Sequence, residues 1–156
     1  MRSQRTVVHE LGASDPRSVR LPCQPRLQAR HERPTVPSMD HLALPVTDQA
    51  RSRRFYETYF GFDARPAKVY DGGVLMLSNA EGFALALGVS PEPVERPAWM
   101  HFGVGLPNRE AVLALRDRFV DDGVELVEEW DEPAYVSVKC RDPDGYIVEA
   151  SWEPSD

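Results

Sequence analysis

Cysteine is scarce in this chain. Cys23 and Cys140 are the only two in 156 residues, and they form no C-x-x-C pair. A disulfide framework is excluded, and a reducing cytoplasm is the expected location. Long apolar runs are missing as well. No stretch approaches the roughly 20 residues of a membrane-spanning helix, and no apolar segment follows the basic start as a secretory signal requires. Positive charge is thin beyond the first 38 residues. Residues 39–156 hold 11 basic and 22 acidic side chains, a net of −11, whereas residues 1–38 hold seven arginines against three acids, a net of +4. Phosphate binding demands a basic surface, so neither nucleic acid nor membrane is expected as a partner of the body. The basic segment 1–38 carries five prolines and no apolar period, the composition of a disordered N-terminal extension.

What remains is an ordinary globular composition, 42% hydrophobic and 28% charged, and it repeats itself. "DHLALPVTD" (40–48) matches "MHFGVGLPN" (100–108), with His41 over His101. Both stretches alternate with the period of two of a strand: Leu42, Leu44 and Val46 oppose His41, Ala43 and Pro45, and Phe102, Val104 and Leu106 oppose His101, Gly103 and Gly105. A helix follows each, with Asp48 and Asn108 as N-caps and Gly61 and Gly123 as stops. Three strands follow each helix, over 63–70, 74–78 and 83–88, then over 124–130, 135–141 and 146–152. The breaks "DGG", "NAEG", "DEPA" and "DPDG" between them are turn chemistry. The unit is βαβββ, used twice. The expected fold is α+β, with a first module over 39–95 and a second over 96–156. Each helix covers one face of a curled sheet, and the paired sheets enclose a cavity.

One residue asks for that cavity. Glu149 lies in "RDPDGYIVEASW" (141–152), a run that otherwise reads as a buried strand. A carboxylate left unpaired in an apolar interior costs several kcal/mol, roughly, unless a cation meets it. Val148, Ala150 and Trp152 form the natural helix-packing face, so Glu149 points to the other face, as His41 and His101 do. Two imidazoles and one carboxylate with open positions form the facial triad of a catalytic metal site. A lone histidine or glutamate on a strand is ordinary. Two histidines at equivalent places of a repeat, with the glutamate on the same face, are the stronger signal.

"MDHLALPVTDQARSRRFYETYFGF" together with "RDPDGYIVEASW" resembles the vicinal oxygen chelate superfamily, which includes glyoxalase I, bleomycin-resistance proteins, extradiol dioxygenases and fosfomycin-resistance thiol transferases. The resemblance covers 39–153. It implies a glyoxalase/bleomycin resistance/dioxygenase fold and one divalent metal ion (iron(II), manganese, nickel, cobalt or zinc) on His41, His101 and Glu149. It also implies a small-molecule substrate chelated through neighbouring oxygens, and a homodimer. Aligning "NAEG" with "DPDG" puts Ala86 where members similar to glyoxalase I carry a second glutamate, which disfavours that chemistry. Extradiol dioxygenases have the same three ligands and usually a tyrosine ten residues before the glutamate. Here that position is Lys139, a candidate catalytic residue that binds a substrate oxygen, or acts as an acid if its pKa is lowered. Its other reading is a solvated lysine at the rim. The expected function is thus metal-dependent dioxygenase-like or lyase/isomerase chemistry. The alternative is a metal-free, antibiotic-sequestering protein of the bleomycin-resistance type. Trp99, Trp130, Tyr70 and Tyr135 read as packing residues at strand ends rather than as a drug cage.

Overall fold

The computed structural model describes residues 37–70 and 72–154, all within one compact unit, Val36–Asp156. Of the expected arm 1–38, all but residues 37 and 38 lie outside the described residues.

The chain runs β1 (His41–Val46), α1 (Gln49–Tyr59), β2 (Asp63–Tyr70), β3 (Val74–Ser78), β4 (Ala84–Val89), then β5 (His101–Gly105), α2 (Arg109–Asp121), β6 (Leu126–Glu132), β7 (Tyr135–Arg141) and β8 (Ile147–Trp152). Two four-stranded mixed sheets result, ordered β1-β4-β3-β2 and β5-β8-β7-β6. The repeat therefore extends to topology: in each sheet the first strand runs parallel to the last and pairs with it. The sheets are not closed into a barrel within the chain. The second module's first hairpin is tighter than the sequence suggests. Asp131 and Glu132 pair with Val136 and Tyr135, so the turn shrinks to Pro133 and Ala134.

Both helices start where their caps dictate. The Asp48 carboxylate accepts from the Arg51 amide at 3.0 Å, and the Asn108 side-chain carbonyl accepts from the Ala111 amide at 2.8 Å. Each satisfies an amide that the first helical turn leaves without a partner. Leu44, Val46, Leu85, Leu87, Leu75 and Leu77 leave the first sheet on one face and are buried. Val136, Val138, Cys140, Val148 and Ala150 do the same in the second. They join Phe55, Tyr56, Val112 and Phe119 from the helices in one hydrophobic core. Full burial of each large apolar side chain contributes about 2 kcal/mol, and all of it is gathered on the helix side of the sheets.

Polar contacts fix one module to the other. The 142–145 turn leads into β8, and its Asp144 carboxylate accepts from the Thr47 amide and hydroxyl, the Arg51 guanidinium and the Ser52 hydroxyl. Three residues at the α1 entrance are thereby tied to the second module, with the anion at the positive end of the helix dipole. The Tyr56 hydroxyl donates to buried Asp142 at 2.8 Å, and Tyr59 packs on Phe119 with ring centroids 5.1 Å apart. The helix faces are used within the chain. The opposite faces of the two sheets stay open.

Candidate metal centre

The open face of the second sheet carries the polar cluster. Parallel pairing of β5 with β8 sets Gly103 beside Glu149, and antiparallel pairing of β7 with β8 sets Lys139 on its other side, with Glu128 next across β6. Glu149 is 13% exposed and His101 22% exposed. The Nε2 of His101 lies 3.3 Å from Oε2 of Glu149. Its Nδ1 lies 3.0 Å from the Trp99 carbonyl oxygen. A carbonyl only accepts, so Nδ1 carries the hydrogen and Nε2 is the atom turned toward the carboxylate. Something cationic bridges two such atoms at that separation, either a proton on Nε2 or a metal ion. An imidazole oriented from behind by a carbonyl, with a carboxylate beside it, is a donor pair that fits a divalent ion.

Glu149 is held at its second oxygen. The Tyr135 hydroxyl donates to Oε1 at 2.7 Å, and the Lys139 ammonium stands 4.0 Å from the same atom. Burial, with Glu149 beside it, raises the Tyr135 phenol above its ordinary pKa, so it remains a donor. Lys139 also bonds to Glu128. That bond raises the lysine pKa, the reverse of the lowering an acid role would draw on. Lys139 is therefore a held cation on the site's face.

His41 stands apart. It projects from the open face of the first sheet, 59% exposed, and its Nδ1 lies 2.7 Å from Oδ1 of Asp40. The bond to His41 keeps the Asp40 carboxyl below its ordinary pKa. Here too Nδ1 donates, leaving Nε2 free, the arrangement in which a carboxylate supports a metal-binding histidine. Among the described residues no group of three His, Cys, Asp or Glu side chains comes together within this one chain. The structure thus brings His101, Glu149 and Lys139 together and leaves His41 on a separate open face. Ala86 pairs with Ala43, two residues past His41, just as Glu149 pairs with Gly103, two past His101. The two positions are true counterparts, and the first module has no carboxylate there. An apolar cavity of about 560 Å³ between β1 and β5 opens onto His101 and Gly103.

The residues around the candidate ligands were less visible in the sequence than the candidates themselves. Tyr135, expected as strand-end packing, lies on the period-two face of Ser137 and Lys139, and that period was the signal for its contact with Glu149. Asp40 carried no signal beyond adjacency to His41. Trp99, Tyr70 and Trp130 are not core residues: all three are exposed, and the Trp99 ring, 83% exposed, lies edge-on to His101 with centroids 5.4 Å apart.

Paired βαβββ modules with their histidines on open sheet faces define the class to which the chain belongs. Residues 38–150 match the model of the Glyoxalase/Bleomycin resistance protein/Dioxygenase superfamily, and the chain is a member of it. A relative in Pseudomonas aeruginosa, the uncharacterized protein PA2024, is 32% identical over 124 residues, 74% of this chain and 89% of its own. The trivalent organoarsenical cleaving enzyme of Bacillus sp. strain MD1 is 29% identical over 115 residues, 67% of this chain and 66% of its own. In fold, the chain is similar to the genomically encoded fosfomycin resistance protein FosX of Listeria monocytogenes. A mutant form of FosX complexed with Mn(II) and 1S,2S-dihydroxypropylphosphonic acid gives a TM-score of 0.62 at 18% identity, covering 74% of this chain and 91% of that one.

Proposed function

We propose that this protein is a metal-dependent enzyme acting on a small molecule, with one divalent ion held by His41, His101 and Glu149 in a homodimer whose sites draw on both subunits. The observation that carries the reading is the Nε2 of His101 facing Oε2 of Glu149 at 3.3 Å, with its Nδ1 turned to the Trp99 carbonyl. His41, exposed and oriented by Asp40, is the third ligand in this reading, supplied by the partner's open face. Mn(II) in FosX makes a divalent ion a natural occupant of the fold. When bound, the ion polarises neighbouring substrate oxygens as a Lewis acid and, if it is iron(II), adds dioxygen chemistry.

The chain's own residues shape the rest. Lys139, fixed by Glu128, presents positive charge where a chelating substrate develops negative charge. Gly103 leaves the approach to Glu149 clear, since even a Cβ there would only reach contact distance, 4.0 Å from Oε2. Ala86 removes the second carboxylate, so a proton shuttled between two opposed glutamates is not the chemistry favoured here. Ring-cleaving oxygenation or a lyase or isomerase step with a single carboxylate fits better. Organoarsenical cleavage, the activity of the Bacillus relative, calls for soft thiolate ligands to hold trivalent arsenic. Cys140, the one cysteine among the described residues, is buried on the helix side of β7. Its thiol is pushed up to about 12 by burial, which keeps it protonated and inert.

The test is metal content. Protein purified without chelator, or reconstituted with first-row divalent ions, is expected to carry one ion per chain, and His41→Ala, His101→Ala and Glu149→Ala each to lose most of it. A wild-type protein that stays metal-free after reconstitution favours the alternative, a sequestering protein of the bleomycin-resistance type. Wild-type occupancy in all three variants removes the ligand assignment. A screen of diols, keto-aldehydes and epoxides with the loaded protein then separates the reaction types.

A further inference from the structure

Glu149 has two oxygens, and the second sheet treats them differently. Oε2 faces Nε2 of His101 at 3.3 Å. Oε1 accepts the Tyr135 hydroxyl at 2.7 Å and has the Lys139 ammonium at 4.0 Å. Tyr135 reaches Glu149 from the start of β7, past Ser137 and Ser151, which pair across β7 and β8 on the same face. Both serines are small, and both hydroxyls lie beside the phenol. A larger side chain in that row would stand in the path of the ring. Tyr135 is not part of the hydrophobic core, so packing does not account for its placement.

We infer that Tyr135 is a positioning residue that selects which oxygen of Glu149 is offered to the metal ion. The inference rests on the assignment of Glu149 as a ligand. A carboxylate at the end of a glutamate side chain rotates freely unless something holds it. Here the phenol engages Oε1 through a charge-assisted hydrogen bond, so Oε2 is turned to His101 and a single oxygen is presented. That leaves coordination positions for a substrate that binds through two oxygens. Partners of this kind behind a ligand typically govern metal affinity by about 10–100-fold. Lys139 cannot replace the tyrosine without loosening its own bond to Glu128.

The experiment is a cobalt(II) titration of the full-length protein and of Tyr135→Phe, followed by affinity and by the visible d–d absorption of the bound ion. Phenylalanine keeps the ring and removes only the donor, and far-ultraviolet circular dichroism with a thermal scan checks that the variant folds as wild type does. The expected result is at least about 10-fold weaker binding with a changed d–d band, because the freed Oε1 alters the coordination sphere. Equal affinity and an unchanged band in Tyr135→Phe overturn the positioning role while leaving the metal site intact. A wild-type protein that takes up no cobalt overturns the metal reading itself, and this inference with it. A second variant, Ser137→Leu, subject to the same folding checks because Ser137 is buried, places bulk in the path of the ring and leaves the Glu149 side chain itself unaltered. It is expected to weaken cobalt binding in the same direction, and unchanged binding in this variant also counts against the role.

Discussion

At the scale of single residues, Asp142 and Asp144 sit two apart in one turn and are held in opposite ways. The Asp144 carboxylate is buried, which alone would push its pKa up. The hydrogen bonds from Ser52 and Thr47 and the charge of Arg51 outweigh that and hold it below the ordinary value. A carboxylate depressed in the folded state stabilises the fold fully above its unfolded pKa, near 4, and loses that contribution as pH falls through the folded value. Asp144→Ala is therefore expected to cost about 2 kcal/mol at pH 7, since it leaves the Thr47 amide and two hydroxyl donors without their acceptor, with a smaller share from the half-exposed Arg51. The cost should shrink at pH 3, read from urea unfolding at the two pH values. An equal loss at both would mean that charge is not what Asp144 contributes. Asp142 goes the other way: burial raises its pKa despite bonds from Tyr56, Tyr146 and Asp144. Little of this was legible beforehand. "DPDG" marks a turn in any sequence, but that its second aspartate would bond to Ser52, 92 residues away, depends on tertiary contacts that local pattern does not carry. The ligand-type residues were legible because a repeat doubles the signal. His41 and His101 announce each other, whereas Tyr135 and Asp40 have no counterpart to point to them.

At the scale of elements, the two modules serve as controls for one another. The turns at 79–82 and 142–145 are built alike. Asn79 Oδ1 accepts from the amides of Glu81 and Phe83, and Asp142 Oδ1 accepts from those of Asp144 and Tyr146. Each ends in a glycine at positive φ, 88° for Gly82 and 85° for Gly145. Their surroundings differ. A Cβ on Gly82 meets nothing within 4 Å, while one on Gly145 lies 2.9 Å from a nitrogen of Arg96. That guanidinium donates to the Asp144 carbonyl at 2.6 Å and stacks 4.0 Å above the Tyr146 ring. Gly82→Ala should thus cost about 1 kcal/mol, the conformational penalty alone. Gly145→Ala should cost more, and Arg96→Ala in the same chain should bring the cost of Gly145→Ala back toward that of Gly82→Ala. Equal losses for the two glycines by chemical denaturation would mean that Arg96 yields freely and does not brace the turn. Strand and helix positions followed from period and caps to within a residue or two, because those signals are local. The tightening of the Pro133–Ala134 turn did not, since it is set by how far β6 and β7 continue to pair.

For the whole molecule, the question is what covers the two open faces. Within the chain, α1 and α2 pack on each other through Tyr59 and Phe119 and on the core, so neither helix is free to close a sheet. His41 is exposed on one face, and His101 and Glu149 lie together on the other, two of the three ligands in the proposed site. Around them the large apolar side chains of Met39, Trp99 and Met100 are exposed, the kind of surface a partner subunit would cover. A twofold dimer that sets the first module of one subunit against the second module of its partner would cover both faces and complete two equivalent sites at once. Subunit exchange tests this directly. His41→Ala protein keeps His101 and Glu149, and Glu149→Ala protein keeps His41, so neither homodimer holds metal tightly. After the two are mixed and allowed to exchange, a mixed dimer has one site with both defects and one site with none. About half the wild-type metal per mixed dimer is then expected, with the matching fraction of any activity. Sites formed within one chain stay broken whatever the partner, so complete absence of recovery, with exchange verified by mass-tagged subunits, would exclude the shared site and leave the fold as it stands.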